Sequence, residues 1–351
     1  MSQMSHSKST LKPTLRDYLA HTTQPLPNGV ELCNLLCSIA ECTKEIALLV
    51  AKGSLLEATT NSNSLNVQGE KQMQLDLLSN DLMLSCLKKS GVVAGLVSEE
   101  LDVPYLFPLT QDAPFLAAFD PLDGSSNIAV NGVVGTIFSI LPASHHPAIM
   151  ADFLQAGTQQ LAAGYALYGP ATMLVLTVGL GTHAFTYDES LQTFVLTNPD
   201  MYIAETTTEY AINTSNMRFW QPPVQQYITD CNAGVSGLRK QDFNMRWVAS
   251  MVADVHRLLL RGGVYLYPQD SKLPAKAGRL RLLYEANPMS YLAEQAGGKS
   301  STGRERLMDL IPHHIHQRVP VILGASAEVG LIVNYHSVFD ANLYEQYSQS
   351  I

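Results

Sequence analysis

Phe115-Leu-Ala-Ala-Phe-Asp120-Pro-Leu-Asp123-Gly-Ser-Ser-Asn127 decides how the rest of the chain is read. The apolar run up to Asp120 predicts a buried strand. Pro121 and Gly124 force a turn at its end. The turn can aim the carboxylates of Asp120 and Asp123 at one point, beside the backbone N–H groups of Gly124, Ser125 and Ser126. That combination suits a hard cation and a phosphate. Asp-Pro and Asp-Gly pairs are also common at ordinary strand-to-turn junctions. On this stretch alone both readings stand.

At 351 residues the chain predicts two domains or one large layered unit. It carries 22 basic and 31 acidic residues, a formal net charge of -9. That balance argues against nucleic-acid or anionic-membrane partners. An anionic substrate can still bind where metal ions and local Arg or Lys reverse the field. No apolar run reaches the roughly 18 residues that a membrane span needs. The five cysteines (Cys33, Cys37, Cys42, Cys86, Cys231) form no C-x-x-C pattern. They read as free thiols in a reducing, cytoplasmic setting. The start of the chain is Ser/Thr-rich with no acid before Asp17. It weakly resembles a transit segment and is read as a flexible tail.

The expected order is a tail over 1–24, an N-terminal domain over 25–200, a C-terminal domain over 201–338, and a tail over 339–351. Asn28-Gly-Val-Glu31 reads as a capping box for a helix that stops near Gly53. Residues 53–69 lack periodicity and read as a mobile loop. A second helix is expected over 70–89, then a strand over 92–97. Runs at 133–141, 162–168, 172–178 and 182–187, separated by Gly/Pro turns, predict a meander in a mixed or antiparallel sheet. The second half predicts a helix over 245–261, strands over 264–267, 279–284 and 319–324, and helices over 289–295 and 326–334. The fold class is a layered α/β (α+β) sandwich with two sheets.

Acids recur at strand ends and helix starts: Asp76, Glu99, Glu100, Asp120, Asp123 and Glu285. Singly, each reads as a solvated acid or a helix cap. Asp76 is set among apolar neighbours, where a carboxylate needs a partner or a metal. Several acids meeting in one cleft would repel unless divalent cations neutralised them, as in a multi-metal phosphoryl site. An oxygen-only set suits Mg²⁺ or Mn²⁺. The matching cations are Arg246, Lys272, Lys276, Arg279 and Arg281, with Asn213 and Tyr267 as possible donors. Arg279 and Arg281 are expected on one strand face.

These segments resemble the class I fructose-1,6-bisphosphatases. The likeness rests on LDLLSNDL (75–82), LVSEE (96–100), FDPLDGSSNI (119–128), AAGYALYGPATMLVLT (162–177), RWVASMVADVHR (246–257) and RLRLLYEANPMSYLAEQAGG (279–298). It implies a sugar phosphatase fold, usually a homotetramer. It implies hydrolysis of the 1-phosphate of fructose 1,6-bisphosphate, with two or three Mg²⁺ (or Mn²⁺ or Zn²⁺) per subunit. By resemblance Glu99, Asp120, Asp123, Glu285 and the Leu122 carbonyl hold metal. Glu100 and Asp76 help activate water, and Glu70 stands for an aspartate on a catalytic loop. Asp123, Gly124, Ser125 and Ser126 meet the 1-phosphate. Asn213, Tyr267 and Arg279 meet the 6-phosphate, with Arg246 reaching a neighbouring subunit's site. Met251 and Arg281 line the sugar pocket, beside Glu285. Departures are Arg279 for a usual lysine, and Trp247 and Asn216 for usual tyrosines. Cys33, Pro114-Phe115 and Pro142 stand where relatives bind AMP, so insensitivity to AMP is expected. Sedoheptulose 1,7-bisphosphate and inositol phosphates remain alternative substrates. A catalytically silent sugar-phosphate sensor is the alternative outside enzymes.

Overall fold

The computed structural model describes residues 12–55, 61–65, 71–108, 113–272 and 277–349. Glu70 and Lys276, among the residues singled out above, lie outside the described residues.

Seven helices are described: α1 (Leu15–Thr23), α2 (Gly29–Ala51), α3 (Gln74–Ser90), α4 (Pro222–Asn232), α5 (Met251–Arg261), α6 (Asn287–Gln295) and α7 (Ser326–Gln349). Strands β1 (Asn61–Leu65) and β2 (Lys71–Met73) pair antiparallel, so part of the expected 53–69 loop is strand. The larger sheet uses β3 (Val93–Ser98), β4 (Tyr105–Leu106), β5 (Phe115–Asp123), β6 (Val134–Pro142), β7 (Ala162–Tyr168), β8 (Thr172–Thr177), β9 (Thr182–Asp188) and β10 (Thr193–Met201). Its order is β10-β9-β8-β7-β6-β5-β3-β4, and β3 with β5 is the parallel pair in an otherwise antiparallel sheet. The smaller sheet joins β11 (Glu209–Ala211), β12 (Asn244–Met245), β13 (Val264–Tyr267), β15 (Lys299–Ser301) and β17 (Val321–Gly324), in the order β12-β11-β13-β17-β15. A short pair, β14 (Leu280–Arg281) with β16 (Arg318–Val319), stands apart.

Side-chain alternation stacks these elements into layers. Phe115, Ala117 and Phe119 of β5 join Leu36 and Ile39 of α2 and Met83 of α3 in one core. Ile137, Tyr165 and Val175, from the opposite side of the large sheet, meet Val252 and Val255 of α5 and Leu292 of α6. Tyr265, Val321 and Leu323 of the small sheet close that second core. Val264, Leu266 and Ile322 turn the other way, onto Tyr227 of α4 and Ile332 of α7. A period of two along each strand and 3.6 along each helix yields helix, sheet, helix, sheet, helix.

Several expectations are corrected. Asn28 does not cap α2 through its side chain; it sits at φ 52°, and no side-chain capping bond forms. Within the expected tails, α1 is held by a capping box of Thr14 and Asp17, and α7 runs on to Gln349. The helix expected from residue 245 starts at Met251, since Asn244–Met245 is a strand beside β11. The strand expected over 279–284 lasts two residues before a π-helical turn, Leu282–Ala286.

Candidate active site

A regular strand sends residues i and i+3 to opposite faces. Asp120 and Asp123 nevertheless share one. In β5, Asp120 pairs with Ile137 while Asp123 pairs with Gly135, so three steps on β5 match two on β6. The extra residue is a bulge at Pro121-Leu122, where proline has no N–H to donate to the ladder. The Thr136 hydroxyl fixes it by donating to the Pro121 carbonyl (2.8 Å), and the Leu122 N–H donates to Asp120 Oδ1 (3.0 Å). Leu116 and Ala118, on Asp120's face, pack with Leu283 and Tyr284. Glu285 therefore arrives opposite.

Asp120, Asp123 and Glu285 are buried, with carboxylate oxygens within 4.8 Å of one another. Glu99 joins them at the carboxyl end of β3, where its N–H donates to the Phe119 carbonyl (3.3 Å) and continues the parallel ladder. Carboxyl ends of parallel strands are where α/β sheets gather ligands. Arg281 balances part of the charge: Nη2 lies 2.6 Å from Glu99 Oε1, and Nη1 3.7 Å from Glu285 Oε2. Its backbone N–H also donates to Glu285 Oε2 (2.6 Å).

The balance is incomplete. Burial, then the charges of Glu99, Asp123 and Glu285, holds the Asp120 carboxyl well above its usual range. Burial pushes Asp123 up to about 6, against the opposing bonds from Val252 and Ser250. Burial pushes Glu285 up to about 8, although Arg281 acts the other way. Desolvation thus outweighs the local donors. A buried, oxygen-only set with excess negative charge fits hard divalent cations.

The other side of the turn is held by the start of α5. Asp123 Oδ2 accepts from the Ser250 hydroxyl (3.1 Å) and the Val252 N–H (2.9 Å). Asp123 thus supplies the acceptor that an N-cap side chain would give, from a distant strand. Ser250 spends its hydroxyl on Asp123 and makes no cap bond of its own. Gly124 sits at φ 74°, and a Cβ there would lie 2.8 Å from the Ser250 Cβ. Ser125 and Ser126 open the 3-10 turn Ser125–Val130.

The other expected residues spread outward. Asp76 is buried in the first turn of α3. Glu100 is half-buried, and its N–H donates to the Ser98 hydroxyl (3.2 Å). Met251 is buried at the start of α5. Arg279 and Arg281 do not act as a pair: Arg281 faces Glu99 and Glu285, whereas Arg279 binds Asp270 (3.0 Å). Tyr267 stacks on Trp247, ring centroids 5.7 Å apart. Asn213 accepts from the Ser215 hydroxyl (2.6 Å). Arg246 is exposed, and its N–H donates to the Tyr210 carbonyl (2.8 Å). The sequence reading missed Ser250 and the Arg281–Glu99 pair. A serine just before the periodic run 251–261 was the available signal for the first; nothing local signals the second.

Together the two-sheet layering and the bulged, buried acid cluster define a class: layered α/β proteins with a buried carboxylate set that could hold a metal ion. The sequence model of the fructose-1,6-bisphosphatase N-terminal domain matches residues 14–199, and that of its C-terminal domain matches 203–337. A class 1 fructose-1,6-bisphosphatase of Acinetobacter baylyi is 52% identical over 323 residues, covering 92% of this chain and 99% of the relative. One from Methylacidiphilum infernorum is 48% identical over 324 residues, covering 92% and 91%. The crystal structure of Leishmania major fructose-1,6-bisphosphatase in holo form superposes with a TM-score of 0.87 at 33% identity, covering 93% of this chain and 99% of that one. The chain belongs to the class 1 fructose-1,6-bisphosphatase family. No described helix is long and apolar enough to cross a membrane.

Proposed function

We propose that this chain hydrolyses the 1-phosphate of fructose 1,6-bisphosphate, yielding fructose 6-phosphate and inorganic phosphate. The observation that carries the reading is the buried triad Asp120, Asp123 and Glu285, with Glu99 beside it. Bound divalent cations, Mg²⁺ first, would supply charge neutralisation for the phosphoryl oxygens and the leaving alkoxide. Asp120, Asp123, Glu99, Glu285 and the Leu122 carbonyl would hold them. Glu100, assisted by Asp76, takes the proton of the attacking water. Gly124, Ser125 and Ser126 orient the 1-phosphate through N–H and hydroxyl groups. Arg279, Tyr267 and Asn213 grip the 6-phosphate, and Met251 borders the sugar. Residues 25–200 carry these acids except Glu285, and 201–338 carry Glu285 and the sugar-phosphate grip. Arg246, exposed on its own protomer, reaches a neighbouring site in a homotetramer. Residence in a reducing cytoplasm suits five free cysteines.

Phosphate release from fructose 1,6-bisphosphate, sedoheptulose 1,7-bisphosphate and inositol 1-phosphate, each with Mg²⁺ and with chelator, tests the reading. Metal-dependent release preferring the first supports it. A preference for the second transfers the same chemistry to a longer sugar. No release with any substrate and metal would leave a silent binder. Insensitivity to AMP has structural support: Cys33 is buried in α2 and Phe115 is fully buried in β5, so neither offers a polar donor to a nucleotide. Inhibition by micromolar AMP would overturn that part.

A further inference from the structure

We infer that His316 is a positioning residue that holds the Glu285 turn against the Glu99–Glu100 loop, and so sets the spacing of the metal-holding acids. The inference rests on the metal-assisted reading above. His316 Nδ1 lies 2.7 Å from the Tyr284 hydroxyl oxygen, and Nε2 lies 3.4 Å from the Asp102 carbonyl. A carbonyl can only accept, so Nε2 carries a proton and donates to Asp102. In the neutral ring Nδ1 then accepts from the Tyr284 hydroxyl; burial disfavours the doubly protonated ring, in which Nδ1 would donate instead. The Tyr284 ring meets the imidazole edge-on, centroids 5.9 Å apart.

The two ends of this bridge are adjacent to the chemistry. Tyr284 is fully buried and directly precedes Glu285 in the π-helical turn. Asp102 follows Glu99 and Glu100 in the loop that leaves β3, where the Leu101 N–H donates to the Ser98 carbonyl (3.3 Å). One imidazole therefore spans the two segments. Its chain neighbours hold that turn and the segment that leads into it. The Leu282 N–H donates to the Gln317 carbonyl (2.7 Å), and Arg318 Nη1 donates to the Arg279 carbonyl (2.6 Å).

The need for a clasp follows from the unequal support of the acids. Asp120 and Asp123 are fixed by the ladder of a central strand. Glu285 sits in a π turn between a two-residue strand and α6, outside both larger sheets. Outer groups that orient metal-holding side chains typically set affinity by about 10- to 100-fold.

Two variants remove the Tyr284–His316 bond from opposite ends: His316→Ala and Tyr284→Phe. Mn²⁺ binding is read by titration calorimetry. The Mn²⁺ concentration for half-maximal phosphate release and the turnover at saturating Mn²⁺ are read by assay. Each variant is expected to weaken Mn²⁺ binding and raise the half-maximal concentration by about tenfold. Turnover at saturating Mn²⁺ should stay within about twofold of the parent, and the double variant should add little to either single one. A lower melting temperature with unchanged Mn²⁺ binding in both variants would overturn the inference alone. If His316→Ala does not fold, Tyr284→Phe decides by the same readouts. Absence of Mn²⁺ binding and of metal-dependent release in the parent protein would overturn the metal reading and this inference with it.

Discussion

Asp123 answers to two elements at once, and its neighbours show how little freedom the site leaves. Asp120→Asn keeps the shape of the buried side chain but removes a charge that the cluster offers to a cation. Phosphate release should fall by at least about 100-fold, while far-ultraviolet circular dichroism stays unchanged. Near-parent turnover would reject Asp120 as a ligand. Gly124→Ala acts by a different route. It asks an L-residue to hold φ 74° and drives a Cβ to 2.8 Å from the Ser250 Cβ. A cost on the order of 1–3 kcal/mol is expected in urea unfolding, with loss of activity as Ser250 shifts off Asp123. Unaltered stability would mean that the turn relaxes freely. At this scale the acids were legible because each ends an apolar strand or opens a turn. The partners were not. Ser250 lies 127 residues from Asp123, and such a separation leaves no local pattern.

Among the elements, α5 links the two sheets, and its buried face carries a titratable group. His256 Nδ1 lies 2.8 Å from the Tyr165 hydroxyl oxygen of β7. Burial lowers its pKa from 6.5 to about 4. In the unfolded chain the ring takes a proton below its ordinary value, while in the folded chain it stays neutral. The unfolded state therefore binds more protons in that window. Stability should fall as pH drops from about 6.5 toward 4, by at most about 3 kcal/mol from this group. Urea midpoints across that range should decline less steeply in His256→Gln; parallel slopes would reject the assignment. The elements were unevenly legible. The meander β6–β9 was plain because Gly/Pro turns punctuate short apolar runs. The stripe Val224, Tyr227, Ile228, Cys231 marks α4 at i, i+3, i+4 and i+7, a usable signal in a stretch for which no element was expected. The sequence 345–349 is largely polar, and the π turn at 282–286 reads locally as strand. Neither carries a period that distinguishes it.

For the whole molecule, a cluster of buried like charges should make cation binding and stability one quantity. Saturating Mn²⁺ at about 100 times its dissociation constant should stabilise the fold by about 2.7 kcal/mol, read as a rise in melting temperature that chelator reverses. Asp120→Asn should lose most of that rise. A parent melting curve indifferent to Mn²⁺ would show that the acids hold no ion in the folded state. The layered architecture was legible as a class from the order of its segments. Its seam was not, because Asp123 and α5 belong to opposite halves of the chain. That seam has a consequence for how the protein can be watched. The Val252 amide hydrogen is held by Asp123 across the junction of the two sheets. Its exchange with deuterated water reports the opening of that contact, by fraying of the first turn of α5 or by parting of the halves. One backbone proton, followed by nuclear magnetic resonance or mass spectrometry, becomes a gauge of active-site assembly in the absence of any substrate.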